Sequence, residues 1–182
     1  MTHQNHTRTT AVPGTSGEPA RPWMPRQEWV RTQPRTLIAS CGLFLDQRRR
    51  MLMLRYSPTE PGGGTWWLPG GMLDHGEDPQ SAVRREMYEE TGIELTSAPT
   101  LIGYDHRADV GGTGPVVDFF WYGGVISGPV RLSPEHDRHA FIGLDDLPNT
   151  SLTAHAHTLT ALHRAATTGT VVCLREGFPH RA

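Results

Sequence analysis

From residue 35 onward the chain is a succession of short apolar runs separated by turns rich in glycine and proline. TLIASCGLFLD (36–46) and RRMLMLRYS (49–57) are apolar stretches separated by a polar break at Gln47, Arg48 and Arg49 and predict a pair of strands. SPTEPGGGT (57–65) follows as a loop, because two prolines and three glycines favour bending over packing. WWLPGG (66–71) predicts one more short strand, and TLIGYDH, VVDFFWYGGVI and TVVCLRE have strand character between Gly-rich turns at 111–114 and 123–124.

Two segments carry the helical spacing instead. In DPQSAVRREMYEETG, Asp78 suits the cap and Pro79 the first helical position. Val83 and Met87 form an i,i+4 apolar stripe, and Gly92 suits the stop, which predicts a helix over about 79–91. LTAHAHTLTALHRAAT (152–167) predicts a second, with Leu152, Ala156, Leu159 and Leu162–His163 on one face. Strands with two separated helices argue for an α/β layered domain. LSPEHDRHAF (132–141) reads as a polar loop.

The opening 34 residues differ in kind. They are rich in Thr, Pro, Gly and Gln with few aliphatic residues, and predict a flexible tail, with the domain running from Arg35 to about residue 180. Trp23 and Trp29 lie near its end, placed to dock on the domain or on a second subunit, so a homodimer is one arrangement the tail would serve.

Composition narrows the chemistry. At 182 residues and 36% apolar content the chain suits one globular domain with an appendage. A formal charge of -2 gives no electrostatic reason to expect a nucleic-acid polymer or an anionic membrane as partner. All 17 basic residues are Arg. Without Lys, neither a phosphate loop of the GKS/T type nor Schiff-base chemistry can operate. Cys41 and Cys173 are too few for a disulfide scaffold and lack C-x-x-C spacing, so a reducing, cytoplasmic setting is expected. The first 30 residues hold no run of seven apolar residues, so no secretory signal is expected. LIASCGLFL (37–45) is about half a membrane span.

The first helix is electrostatically costly. At about 100° per residue, with Glu86 at zero, Glu89 falls at about 300° and Glu90 at about 40°, so the three carboxylates converge. Val83 at about 60° and Met87 at about 100° put this acidic stripe against the buried one, and the carboxylates are expected at a rim. Like charges at this spacing cost roughly 0.2–0.5 kcal/mol per pair, and partial burial raises that cost unless a counter-charge arrives. A hard divalent cation, Mg²⁺ or Mn²⁺, takes oxygen ligands of this kind together with phosphate oxygens. Arg85 reaches Glu89 at i,i+4. Upstream, Gly70 and Gly71 allow a sharp turn that presents a carbonyl toward the helix, and Glu77 sits just before the cap.

Residues 71–93, GMLDHGEDPQSAVRREMYEETGI, resemble the Nudix box, G-x5-E-x7-R-E-U-x-E-E-x-G-U. Gly71, Glu77, Arg85, Glu86, Met87, Glu89, Glu90, Gly92 and Ile93 occupy all its fixed places. The resemblance implies the Nudix fold, an α/β/α sandwich with a mixed sheet between helices. It also implies Mg²⁺- or Mn²⁺-dependent hydrolysis of a pyrophosphate link in a nucleoside diphosphate joined to another moiety, a small-molecule substrate. By position, Glu86, Glu89 and Glu90 would be metal ligands with the Gly70 carbonyl, Glu86 would be a candidate base, and Glu77 and Arg85 would brace the loop and helix. The family's further carboxylate, before the aromatic of a W/F-x-x-L segment, is replaced here by Ala140, with Glu135 and Asp137 as nearby substitutes.

Substrate contacts are not assigned by any spacing. Arg55, Arg107 and Arg131 are candidate phosphate partners, while Trp66, Phe119 and Trp121 read as core or strand-face residues. His136, His139, His155 and His157 are expected at the surface, and Cys41 as a buried thiol. Two other functions fit the pattern: a non-catalytic module that senses a nucleotide, and a Cys-dependent diphosphate isomerase.

Overall fold

Strand β1, Leu37–Leu45, is buried along seven consecutive residues, which requires cover on both of its faces. The computed structural model describes residues 23–149 and 155–180 and supplies that cover. Cys41, Leu43 and Leu45 pack into one apolar cluster with Leu159, Leu162 and Ala165 of helix α3, Ala156–Thr168. Phe44 packs into the other, with Val83 and Met87 of helix α2, Pro79–Thr91. Strand β2, Met51–Tyr56, does the same by alternation: Met51 and Met53 face the α3 cluster, Leu52 and Leu54 the α2 cluster. A sheet covered by helices on both sides is the α/β/α sandwich that the box resemblance implies.

The remaining strands are β3 (Trp66–Trp67), β4 (Gly70–Met72), β5 (Thr100–Arg107), β6 (Val116–Val125), β7 (His136–Ile142), β8 (Val172–Arg175) and β9 (Phe178–Pro179). The sheet is mixed, in the order β3-β2-β1-β6-β5-β8-β9, with β4 also on β1 and β7 also on β2. β1 runs parallel to β6 and antiparallel to β4, so the segment leading into α2 is anchored on the central strand.

Helix α2 has the predicted bounds, and its ends show why. The Asp78 carboxylate accepts from the N–H groups of Gln80 (2.9 Å) and Ser81 (3.0 Å). Gly92 closes the helix in the left-handed region at φ 69°, its N–H bonding Tyr88 O at 2.8 Å. Helix α3 begins at Ala156; Leu152, predicted within it, lies outside the described residues. The polar loop expected at 132–141 is corrected in part: residues 136–142 form β7, antiparallel to β2 with Met53 opposite Ala140. Asp137, Arg138 and His139 are exposed on this edge strand, so no apolar alternation marks it, and pairing with apolar β2 defines it.

The chain divides into two units, Met1–Pro34 and Arg35–Ala182. Within the described part of the first, α1 (Arg26–Arg31) is a short helix with no buried residue, and Trp23 and Trp29 are exposed. Most of the predicted tail, residues 1–22, lies outside the described residues. No helix among the described residues is long and apolar enough to cross a membrane.

Candidate functional site

Around the axis of α2, exposure falls in the order of helical angle. The Glu89 side chain is 54% exposed, Glu86 14% and Glu90 5%, ahead of the fully buried Val83 and Met87. Only Glu89 and Glu86 therefore occupy a rim. Glu90, expected there with them, is inside, because at about 40° it lies next to the Val83 and Met87 stripe.

The glycine pair makes this burial tolerable. The Gly70 N–H donates to Glu90 Oε2 at 2.9 Å, so β4 contributes a backbone donor to the buried carboxylate. Gly70 has φ 149°, and a Cβ there would meet Ser40 O at 2.3 Å and the Cys41 Cα at 2.6 Å. At Gly71 a Cβ would meet Glu86 Oε1 at 2.4 Å, so only glycine lets that carboxylate rest against the strand.

Arg85 ties the rest together. Its Nη1 donates to Glu86 Oε1 (2.8 Å) and Glu89 Oε2 (3.0 Å). Nε and Nη2 donate to the two Glu77 oxygens at 3.0 and 2.9 Å, and Nη2 also reaches Met72 O. Glu77 in turn accepts from the Asp74 N–H at 3.0 Å, which links the loop before the helix to the helix itself.

Negative charge still exceeds its local compensation. Burial, reinforced by Glu86, Glu135 and Glu89, raises the Glu90 pKa to about 8 against the help of the Gly70 N–H. Burial also raises Glu86, opposed by Arg85 and reinforced by Glu89 and Glu135. Glu135 thus adds its negative charge to the cluster's surroundings. It is carried there by the loop before β7, where the Arg131 and Ser133 N–H groups bond the α2 carbonyls of Thr91 (2.8 Å) and Glu90 (3.2 Å). Asp137, the other substitute carboxylate, is instead paired with Arg55.

The same loop turns His136 inward. It is 6% exposed, its ring 4.9 Å from that of Tyr56 and its Nε2 3.6 Å from Glu90 Oε1, which corrects its expected place at the surface. Burial depresses its pKa and holds the imidazole neutral, so it is a polar neighbour of Glu90 and no counter-charge.

Among the described residues no three carboxylates or imidazoles converge on one point as a ready metal cage, since Arg85 takes up oxygens of Glu86 and Glu89. The donor chemistry nevertheless fits a hard cation. Three carboxylates share one helix side with the charge of a fourth, Glu135, near them, and Gly71 keeps clear the space beside Glu86 that any larger residue would fill.

Comparison with known proteins decides the family. A model of the NUDIX domain matches residues 34–162. The chain belongs to the Nudix family. The asymmetrical bis(5'-nucleosyl)-tetraphosphatase of Rattus norvegicus is 30% identical over 122 residues, covering 60% of this chain and 81% of that protein. An ADP-ribose pyrophosphatase of Methanocaldococcus jannaschii is 29% identical over 111 residues, covering 61% of this chain and 64% of that one. Several curated relatives are spanned only in part, over 23% to 64% of their length. The crystal structure of a MutT protein from Methanosarcina mazei Go1 superposes with a TM-score of 0.63 at 24% identity, over 74% of this chain and 95% of that one, and shows the shared fold.

In this Nudix domain the arginines considered for phosphate binding are mostly engaged. Arg55 pairs with Asp137, Arg107 with Asp118, and Arg131 rests over Gly92 at the far end of α2. Cys41 is buried as expected, and its burial and the nearby Asp118 hold the thiol protonated. No sequence spacing brought Arg107 together with Asp105 and Asp118, which form a second polar group with it on the α3 side of the sheet. One signal pointed to it: in Val116-Val117-Asp118-Phe119-Phe120 a carboxylate occupies an inward slot between two buried apolar residues.

Proposed function

We propose that the chain is a divalent-cation-dependent hydrolase that cleaves a pyrophosphate bond in a nucleoside diphosphate linked to another moiety. The observation that carries this reading is the buried Glu90 beside Glu86 and Glu89, on one helix side and clamped to the glycine strand β4. Glu86, Glu89 and Glu90, with the Gly70 carbonyl, would hold Mg²⁺ or Mn²⁺. Such an ion, when bound, neutralises phosphate charge and acidifies a water. Arg85 holds Glu86 and Glu89 in orientation, and Glu77 holds Arg85. Glu86, whose burial makes it more basic than a free carboxylate, suits a proton acceptor, and Glu135 is a second carboxylate whose charge acts on the same cluster. The names of the relatives, a dinucleoside-tetraphosphate-cleaving enzyme and an ADP-ribose pyrophosphatase, support a nucleotide substrate.

A sensing module without turnover is the weaker reading, because all three box glutamates are present. A Cys-dependent isomerase is disfavoured by the protonated, buried Cys41. The deciding experiment incubates the protein with nucleoside triphosphates, nucleotide sugars, ADP-ribose and dinucleoside polyphosphates, with Mg²⁺ or with EDTA. Nucleoside monophosphate released only with Mg²⁺ is expected; tight binding without product in every case would replace the hydrolase by the sensor.

A further inference from the structure

Two elements approach Glu90 from outside its own helix. From β4, the Gly70 N–H donates to Oε2. The other is the turn before β7, closed by the His136 N–H on Ser133 O at 3.1 Å. This turn meets Glu90 twice: the Ser133 N–H donates to the Glu90 main-chain carbonyl at 3.2 Å, and the His136 imidazole lies against Oε1. The side chains of His136 and Glu90 are 2% and 5% exposed, so Oε1 meets the imidazole in place of bulk water.

Neither ring nitrogen is turned to hydrocarbon. Nδ1 lies 3.5 Å from Ser133 Oγ and Nε2 3.6 Å from Glu90 Oε1. The Tyr56 ring packs on the imidazole, with centroids 4.9 Å apart and planes inclined by 35°. Residues at the end of β2 pin the turn from the far side. The Ser57 N–H donates to Glu135 O at 2.8 Å, and Ser57 Oγ donates to Pro134 O at 3.0 Å.

A carboxylate gripped at one oxygen can still turn about the bond that joins it to its side chain. A second donor, at the other oxygen, removes that freedom and leaves each oxygen a lone pair for an ion. The donor order follows from the partners: a metal-ligating carboxylate only accepts, whereas a serine hydroxyl can donate, so Ser133 O–H suits Nδ1 and Nε2–H suits Glu90. Both separations sit at or just past hydrogen-bond reach, as is common in unliganded sites whose contacts tighten on loading.

We propose that His136 is a positioning residue for Glu90, with its Nε2–H directed at Oε1 and its tautomer set by Ser133. This deepens the hydrolase reading above and rests on Glu90 being a ligand of the divalent cation.

The test measures Mn²⁺ affinity of the full chain by calorimetry in the unaltered protein, His136→Leu and His136→Gln. His136→Leu fills the space beside Tyr56 without a donor. It is expected to weaken Mn²⁺ about 10–100-fold, the range for losing a partner behind a metal ligand. His136→Gln returns an N–H and is expected to recover most of that loss. Space-filling alone predicts the reverse order, because a buried wall tolerates Leu better than an unpaired amide.

A second readout needs neither turnover nor affinity. Nitrogen NMR of the Mg²⁺-loaded protein, with the His136 signals identified by their absence from His136→Gln, is expected to show a proton on Nε2. A bare Nε2 overturns the proposal, as does unchanged Mn²⁺ affinity in a folded His136→Leu, or His136→Gln binding more weakly than His136→Leu. If His136→Leu does not fold, the nitrogen spectrum decides alone. Mn²⁺ uptake and product release with a bare Nε2 would leave the hydrolase and remove this role of His136. No Mn²⁺ uptake by the unaltered protein would remove the ligand reading itself, and the positioning role with it.

Discussion

Two groups of buried charge flank the sheet of this protein, and they are built in opposite ways. The glutamates of α2 come from five consecutive residues, and each oxygen of the buried member has a polar neighbour, Gly70 on one side and His136 on the other. The Asp105, Arg107 and Asp118 group comes from two strands, with a third element closing it, and among the described residues one carboxylate oxygen and one guanidinium nitrogen have no partner. Excess charge of one sign on a helix calls for a small, dense cation. A mixed group of two carboxylates and one guanidinium is instead compensated largely from within, by Arg107 on Asp118 and by the Gly177 N–H on Asp105. That difference is why the proposed chemistry is placed on the helix side.

The largest effect should come from the α2 side. Glu90→Gln is expected to lower Mg²⁺-dependent turnover on the order of 10²–10⁴-fold, the several kcal/mol that metal-bound chemistry supplies, while the circular-dichroism spectrum stays that of the unaltered protein. Turnover within a few-fold of normal would break the comparison at its root, since the buried carboxylate would then be only structural.

Arg85→Ala comes next. Arg85 orients Glu86 and Glu89 without being placed as a ligand, so Mn²⁺ affinity measured by calorimetry should fall roughly 10–100-fold. An affinity equal to the original would show that the glutamates hold their places without it.

A smaller effect separates the two groups by pH in the metal-free protein. The Glu90 pKa is raised in the folded state, from an ordinary 4.5 to about 8, so the folded protein binds that proton more tightly than the unfolded chain. The associated stability is complete below about pH 4.5 and is lost as pH rises through about 8. Burial raises Asp105 and Asp118 with the same sign. Melting temperatures followed from pH 5 to pH 8 should therefore decline in the original protein and decline less in Glu90→Gln. The slope remaining in the variant includes the share of the strand carboxylates, and parallel slopes would remove Glu90 as a source.

The smallest expected effect tests the framework that holds the helix. Asp78→Ala removes the acceptor for the Gln80 and Ser81 N–H groups and should cost about 1 kcal/mol in urea unfolding; an unchanged urea midpoint would show that the cap does not hold the helix.

Much of α2 was legible beforehand because everything that defines it is local. The Asp78 cap, Pro79, the Val83 and Met87 stripe and Gly92 lie within fifteen residues of one another, and the order of exposure from Glu89 to Glu90 follows from the helical angle alone. β7 was hidden for the converse reason: Asp137, Arg138 and His139 resemble a polar loop until β2 lies beside them. His136 was misplaced because its burial depends on a loop hydrogen-bonded to the carbonyls of Thr91 and Glu90, more than forty residues away in sequence.

The sequence by itself determined that three carboxylates share one side of a capped helix entered through a glycine pair, since a helix makes neighbours of residues three and four apart whatever surrounds it. Tertiary structure decided how deeply Glu90 is buried, that the Gly70 N–H meets it, and that Asp105 faces Asp118 across two strands. Those contacts depend on register and on remote segments. The pleat of a strand says which residues share a face, and only the pairing of whole strands says which residue they meet.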